Sequence, residues 1–372
     1  MQINVLHDVI VAASEDLTNA YPLTAEAADG ALVCMYRQGK EKHSYDGILL
    51  TRRSTDLGKT WSPAATLFDG RSLQPPQAAG SGGICRCGDG SLLVVFCATE
   101  VTRPDQYVFS DEGMAQRTRY LTALSTDHGM RWQSPRYLDD ASLQRPLGPT
   151  SNPLVLDDQI VFVPGERHHH QGQLGICASF SRDHGRTLEP VRDLIVDQSA
   201  AVSYCDPRFT RFADGQILAM LWTFRQDDEE TIEIHRSISD DGGVGWSAPQ
   251  PVGFLGQITD PLAMAGDKLL AASNYRWPPD GIRLWLSHDR GRTWPVEESV
   301  QMWDAGEMRM LAGPRPIADR SQGEGVWNAL PAFTFGTPNL KRLPDETLLL
   351  TYYAEVGSKA HVRACRFQIE RL

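Results

Sequence analysis

Apolar and polar positions alternate with a period of two in short runs along the chain, as in Gly47–Arg53, Glu233–Ile238 and Gly281–Leu286. Denser apolar stretches such as Leu32–Tyr36 and Leu92–Cys97 lie between them. A period of two places successive side chains on opposite faces, so these runs predict β-strands. Each alternating run ends in one recurring segment, Ser-x-Asp-x-Gly-x-Thr-Trp. It reads STDLGKTW at 54–61, STDHGMRW at 125–132, SRDHGRTL at 181–188, SDDGGVGW at 239–246 and SHDRGRTW at 287–294. Short Asp and Ser side chains bond backbone N–H groups within a tight turn, and glycine adopts backbone angles that other residues resist. The segment therefore predicts a turn that carries its own aromatic anchor, with a structural role.

A second repeat sets the period. Acidic turns separate paired apolar runs at Asp29-Gly30, Asp89-Gly90, Asp157-Asp158, Asp214-Gly215, Gly266-Asp267 and Asp345-Glu346. These six turns predict six hairpins, each joining the first and second strands of one repeat. In five repeats the Ser-x-Asp segment follows at the third-to-fourth strand turn. The sixth repeat runs Leu340–Arg342, Thr347–Tyr353 and Val362–Ile369 and then lacks a fourth strand. The β-rich segment Asn4–Ala12 has no partner of its own, so it is expected to complete the last repeat and close a ring. The expectation is an all-β, six-bladed β-propeller formed by one domain, 1–372, with Thr102–Arg119 as an insertion in the second blade.

Charge and cysteine content narrow the class of partner. Asp and Glu outnumber Lys and Arg by 47 to 36, a net charge of -11, and basic residues form no runs. That argues against a nucleic-acid partner. Seven cysteines with no CxxC pair read as buried free thiols. The N-terminus lacks the basic region of a signal peptide, and no apolar run reaches membrane-spanning length. Cytoplasmic residence without a membrane partner is the expectation. No phosphate-binding glycine loop is present, so no cofactor is expected. Neighbouring residues of the run His168-His169-His170 point to opposite faces of a strand, which disfavours a shared metal.

Strand polarity locates the candidate site. Both kinds of turn described above emerge on one face of an antiparallel blade. First-strand starts and second-strand ends emerge on the other, near the central channel. That face collects Arg37, Arg103, Arg167, Arg208, Arg225 and Arg276, whose guanidinium forks suit carboxylates. With them lie Asp206, Glu166, His43 and Tyr353 as candidates for proton transfer or attack, and Asn339 as a further binding group.

The five Ser-x-Asp segments resemble the Asp-boxes of the sialidase superfamily, and the resemblance covers nearly the whole chain. It implies a glycosidase that holds a substrate carboxylate with three arginines and uses a tyrosine nucleophile assisted by a glutamate, with an aspartate as acid/base. By that resemblance Arg225 stands where the second arginine is expected and Asp206 at the glutamate position. Arg276, or Arg283, would supply the third arginine. The sequence departs from the pattern at three places. The Arg-Ile-Pro motif reads Ala20-Tyr21-Pro22, with Arg37 as a substitute. The acid/base aspartate is replaced by His43 or Asp46, and Thr337 stands where the tyrosine should open the sixth blade, with Tyr353 nearby. The function expected is hydrolysis of a terminal acidic sugar, sialic acid or a related keto-acid or uronate. Elimination on uronate glycans with a His or Tyr base is one alternative, and sugar binding without turnover is another.

Overall fold

The computed structural model describes residues 1–102, 117–138, 140–169, 172–306, 333–356 and 359–370. Strand β1 (Ile3–Ala12) precedes six four-stranded sheets. Blade 1 holds β2 (Thr18–Glu26), β3 (Leu32–Gly39), β4 (Ile48–Ser54) and β5 (Ala65–Phe68). Blade 2 holds β6 (Gln77–Arg86), β7 (Leu92–Glu100), β8 (Thr118–Ser125) and β9 (Arg136–Tyr137). In blade 3 these are β10 (Leu154–Val155), β11 (Val161–His168), β12 (Leu174–Ser181) and β13 (Arg192–Ile195). Blade 4 follows with β14 (Val202–Arg211), β15 (Ile217–Arg225), β16 (Glu233–Ser239) and β17 (Gln250–Leu255). Blade 5 comprises β18 (Thr259–Ala263), β19 (Leu269–Tyr275), β20 (Gly281–Ser287) and β21 (Ser299–Asp304). Blade 6 comprises β22 (Phe335–Arg342), β23 (Leu348–Val356) and β24 (Lys359–Ile369), and its fourth strand is β1.

The expected six-bladed propeller and its closure are thus present. β1 pairs antiparallel with β24 from Ile3↔Ile369 to Ala12↔Val362. The acidic turns join first and second strands in all six blades. Residues 103–116 of the expected blade 2 insertion, with Arg103, lie outside the described residues, as does His170.

The apolar core lies between blades rather than at the centre of the ring. Six main clusters of buried side chains each draw on one pair of adjacent blades. A strand near the middle of a blade is covered on both sides, which explains the dense apolar runs at β3 and β7. All seven cysteines are free; six are buried and Cys97 is half-buried.

The Ser-x-Asp turns connect the blades as well as the strands. In blade 1, Ser54 Oγ donates to Asp56 Oδ1 at 2.8 Å and accepts from Gly58 N–H at 2.9 Å. Asp56 accepts from Thr60 N–H, at 2.8 Å, and from the Thr60 hydroxyl, at 2.6 Å. The Ser–Asp and Ser–Gly bonds recur in the other four turns. These bonds hold Asp56 at a pKa of about 2 and depress Asp127, Asp183, Asp241 and Asp289 in the same way. The Trp anchors reach the preceding blade. Trp132 Nε1 donates to Thr51 Oγ1 of blade 1 at 3.0 Å, and Trp246 packs on Phe162 of blade 3. The turn glycine does the same: Gly185 sits against Leu93 of blade 2.

This double duty separates two glycines of equal backbone angle. Gly185 has φ +80° and Gly30 has φ +81°. A Cβ on Gly185 would collide with the Leu93 side chain, whereas one on Gly30 would meet nothing within 4 Å. Each alanine substitution costs about 1–2 kcal/mol from the left-handed backbone. Gly185→Ala adds overpacking of about 1–3 kcal/mol. Thermal or denaturant unfolding should therefore place Gly185→Ala clearly below Gly30→Ala. Equal losses would mean that the glycine serves its own turn only.

Candidate active site

The inner strands depart from regular pairing at the same place in several blades. Register shifts lie between Ala20 and Leu23, Ala79 and Gly82, Cys205 and Arg208, and Gly336 and Asn339. A bulge sets two residues against one and re-aims a side chain. Three of these bulges carry an X-Pro step, and X has a positive φ each time: Tyr21 at 59°, Asp206 at 45° and Thr337 at 50°. Left-handed backbone at a non-glycine residue is a strained arrangement that persists only where its surroundings enforce it.

The bulges bring side chains from different blades together. The Tyr21 hydroxyl lies 2.8 Å from His43 Nε2, and its ring meets the Tyr353 ring edge-on at 5.5 Å. Tyr353, Arg37, Asp206 and Arg276 all lie close enough to act on the Tyr21 phenol electrostatically. Asp206 also acts on Tyr353. Blades 1, 4, 5 and 6 thus meet around Tyr21. Blade 3 adds Glu166, whose Oε2 accepts a 2.6 Å hydrogen bond from Asp206 N–H. On the blade 2 side, Cys97 lies within the field of both Glu166 and Arg37.

The cations are held in different ways. Arg276 donates from Nε to Gln257 Oε1 at 2.7 Å and from Nη2 to Phe335 O at 2.5 Å. Its guanidinium packs on the rings of Phe333 and Phe335, 4.0 and 4.2 Å from the centroids. Arg208 is buried and lies 3.8 Å from Asp206 Oδ1. Arg37 is also buried. It donates from Nε to Ala79 O and from Nη1 to Glu41 O, both at 2.8 Å, and from Nη2 to Ser44 O. It therefore ties down the loop that carries His43. Lys42 on that loop donates to Phe333 O and sits over the Tyr353 ring.

Other candidates have partners elsewhere. Arg225 is 43% exposed and is held by Asp228 and Glu230 on its own loop. Arg167 makes two 2.6 Å bonds to Asp193, which also pairs with Arg145. Asn339 is buried and joins blades: Oδ1 accepts from Thr24 N–H at 2.9 Å, and Nδ2 donates to Asp260 at 3.1 Å. Asp46 accepts from Lys40 N–H and the Ser44 hydroxyl, so of the two replacements for the aspartate it is His43 that meets a tyrosine. Arg283 packs over the Tyr275 and Trp285 rings. Tyr21 is the residue that sequence reasoning did not select. Its signal was present, since Tyr21-Pro22 occupies the same slot as Asp206-Pro207 and Thr337-Pro338.

Burial shapes the protonation states. Burial and the nearby charges of Arg37 and Lys42 push the His43 imidazole down to about 3, so it is neutral across the physiological range. The Tyr353 phenol is pushed up to about 12, chiefly by burial. Burial, with Asp206 adding to it, raises the Glu166 carboxyl from an ordinary 4.5 to about 8. Burial raises Asp206 as well, against the pull of Arg208.

The raised Glu166 links stability to pH. Its protonated form is favoured in the folded state, so its stabilising contribution is complete below about pH 4.5 and is lost as pH climbs through about 8. Glu166→Gln should flatten the decline of Tm between those pH values. Parallel curves for parent and variant would show that Glu166 ionises like an exposed carboxylate.

Comparison with known proteins places this arrangement in a family. No curated protein matches the chain significantly. Among solved structures, a Dyadobacter fermentans protein of unknown function superposes with a TM-score of 0.76 at 19% identity, over 99% of each chain. The Hadza microbial sialidase Hz136 gives 0.69 at 15% identity, and Trypanosoma rangeli sialidase in complex with sialic acid gives 0.65 at 12%. Both matches span 94% of this chain, which covers 65% and 54% of those two sialidases. At such identities the likeness is one of fold. A family model for BNR repeat-like domains matches residues 30–310, and the chain belongs to that family.

Proposed function

We propose that the protein is a glycoside hydrolase acting on a terminal acidic sugar at the inner face of its propeller. The observation that carries this reading is the Tyr21 hydroxyl set against His43 Nε2 and its ring against Tyr353, with Glu166 bonded to the backbone of Asp206 on the neighbouring bulge. Glycosidic cleavage needs a proton donor, a base or nucleophile, and a group that orients the sugar. The carboxyls and phenols supply the first two. Arg276, braced by Gln257 and two phenylalanine rings, is the group best placed to receive a carboxylate. The superposed sialidases support this substrate class, one of them named with sialic acid bound.

The direct test is fluorophore release from a fluorogenic α-sialoside. Turnover is expected, with Asp206→Asn lowering it by about a hundredfold or more and Arg276→Met raising KM. No release, or release untouched by Asp206→Asn, would remove the sialoside and move the search to uronate substrates.

One contact favours a second reading. The neutral His43 bonded to Tyr21 is an arrangement suited to proton transfer during elimination on a uronate chain. Product mass separates the two, because hydrolysis adds water and elimination leaves an unsaturated ring. For hydrolysis, no inflection of the pH–rate profile should vanish in His43→Gln, since His43 is already neutral above about pH 4. Loss of turnover in this variant, with an unsaturated product from the parent, would favour elimination, for which neutral His43 is the base.

A further inference from the structure

The carboxyls of Glu166 and Asp206 do not have equivalent surroundings. Asp206 stands on the strained bulge of β14, and its N–H is bonded to Glu166 Oε2. Arg208, two residues on, folds back beneath that bulge. Its Nη1 donates to Pro207 O at 3.0 Å and to Asp206 O at 3.4 Å, and lies 3.8 Å from Asp206 Oδ1. The residue is 1% exposed, and its Nε has no hydrogen-bond partner among the described residues. A buried guanidinium needs a nearby anion, because low-dielectric surroundings penalise an uncompensated charge heavily.

Few groups compete for that role. Asp260 on β18 also lies in the field of Arg208 and of Lys341, but its carboxylate accepts from Leu340 N–H at 2.6 Å and from Asn339 Nδ2. The thiols of Cys97, Cys177 and Cys205 and the phenols of Tyr21 and Tyr353 face the pair, and burial keeps all of them protonated. Arg208 is the cation that acts on both carboxyls.

We propose that Arg208 is a positioning residue that fixes the division of labour in this pair, keeping Asp206 ionised and leaving the proton on Glu166. The catalytic meaning of that order rests on the glycosidase reading above, while the order itself is a property of the protein alone. In glycosidic cleavage Glu166 transfers its proton to the leaving-group oxygen as the C–O bond breaks, and becomes a carboxylate. Asp206 takes the proton of the attacking hydroxyl, from a tyrosine or water, as its oxygen bonds to the anomeric carbon. One proton is delivered and one is removed, and no further reactant beyond that hydroxyl is required. Two carboxyls held in unlike surroundings are a general route to such an acid and base pair.

The test uses the full chain without substrate, so its outcome is independent of whether any glycoside is turned over. Protein labelled with carbon-13 at the Asp or Glu carboxyl carbons is titrated by NMR. The resonances that vanish in Asp206→Asn and Glu166→Gln identify the two groups. At pH 7 the Asp206 signal should be that of a carboxylate and the Glu166 signal that of a carboxylic acid. Arg208→Gln should raise the Asp206 midpoint by about one pH unit or more, and Arg208→Lys should preserve most of the parent value. A loss of packing alone would not be repaired by lysine in this readout. The parent measurement stands even if Arg208→Gln fails to fold. A protonated Asp206 beside an ionised Glu166 at pH 7 would overturn the proposal, as would an Asp206 midpoint unchanged in a folded Arg208→Gln.

Discussion

Contact between neighbouring blades is the constraint on which this molecule depends. A single blade has two apolar faces and an inner edge of unpaired backbone groups, none of which it can satisfy alone. The faces are covered in adjacent pairs, giving six clusters around the ring. The inner edges form hydrogen bonds with side chains of a neighbouring blade. Asn339 receives Thr24 N–H, Asn152 receives Ile84 N–H, Thr210 receives Ala263 N–H and Asp260 receives Leu340 N–H. At the opposite face, the Ser-x-Asp turns of blades 1 to 4 set their glycines against the second residue of the preceding blade's second strand. These residues are Leu349, Val33, Leu93 and Phe162. The spacing and rotation of the blades follow from contacts of this kind.

The site inherits its rigidity from them. Tyr21, Asp206 and Thr337 hold left-handed backbone angles that would relax in an isolated hairpin. They lie only a few residues before Thr24, Thr210 and Asn339, which are among the inter-blade bonds. Strain in the bulges is thus opposed by polar bonds anchored in the neighbouring blade. The same logic explains why some polar groups on the inner face serve the fold. Asn339 and Arg37 have the residue types expected of ligand-binding groups, yet the geometry gives their hydrogen-bonding atoms to backbone and to Asp260.

How far the sequence could be read follows from the range of each interaction. The Ser-x-Asp turns and acidic hairpins were legible because their chemistry is contained within a few residues, as the Ser54–Asp56–Gly58 bonds show. Ring closure was legible by counting, since β24 lacked a partner and β1 had none. The face that gathers the first-strand starts and second-strand ends followed from strand polarity. The individual members did not, because a bulge changes which side chain points inward: Tyr21 escaped selection for that reason. Arg225 illustrates the opposite error. Its partners Asp228 and Glu230 lie three and five residues away, so its local pairing was written in the sequence but outweighed by its place at a strand end.

The electrostatics of the channel also depend on topology. The chain carries a net charge of -11, yet Arg37, Lys42, Arg208 and Arg276 all reach the inner face. Two of them, Arg37 and Arg208, are deeply buried and take backbone carbonyl oxygens as hydrogen-bond partners. Carbonyl oxygens satisfy the N–H groups without cancelling the positive charge. The effect is visible in His43, which Arg37 and Lys42 help to hold neutral. Arg208 and Lys42 have carboxylates beside them, Asp206 and Glu355, as Arg167 and Arg225 have at the rim. If the ligand is the carboxylated sugar proposed above, Arg276, braced by Gln257 Oε1 and Phe335 O, is the inner-face cation that would distinguish it from a neutral one.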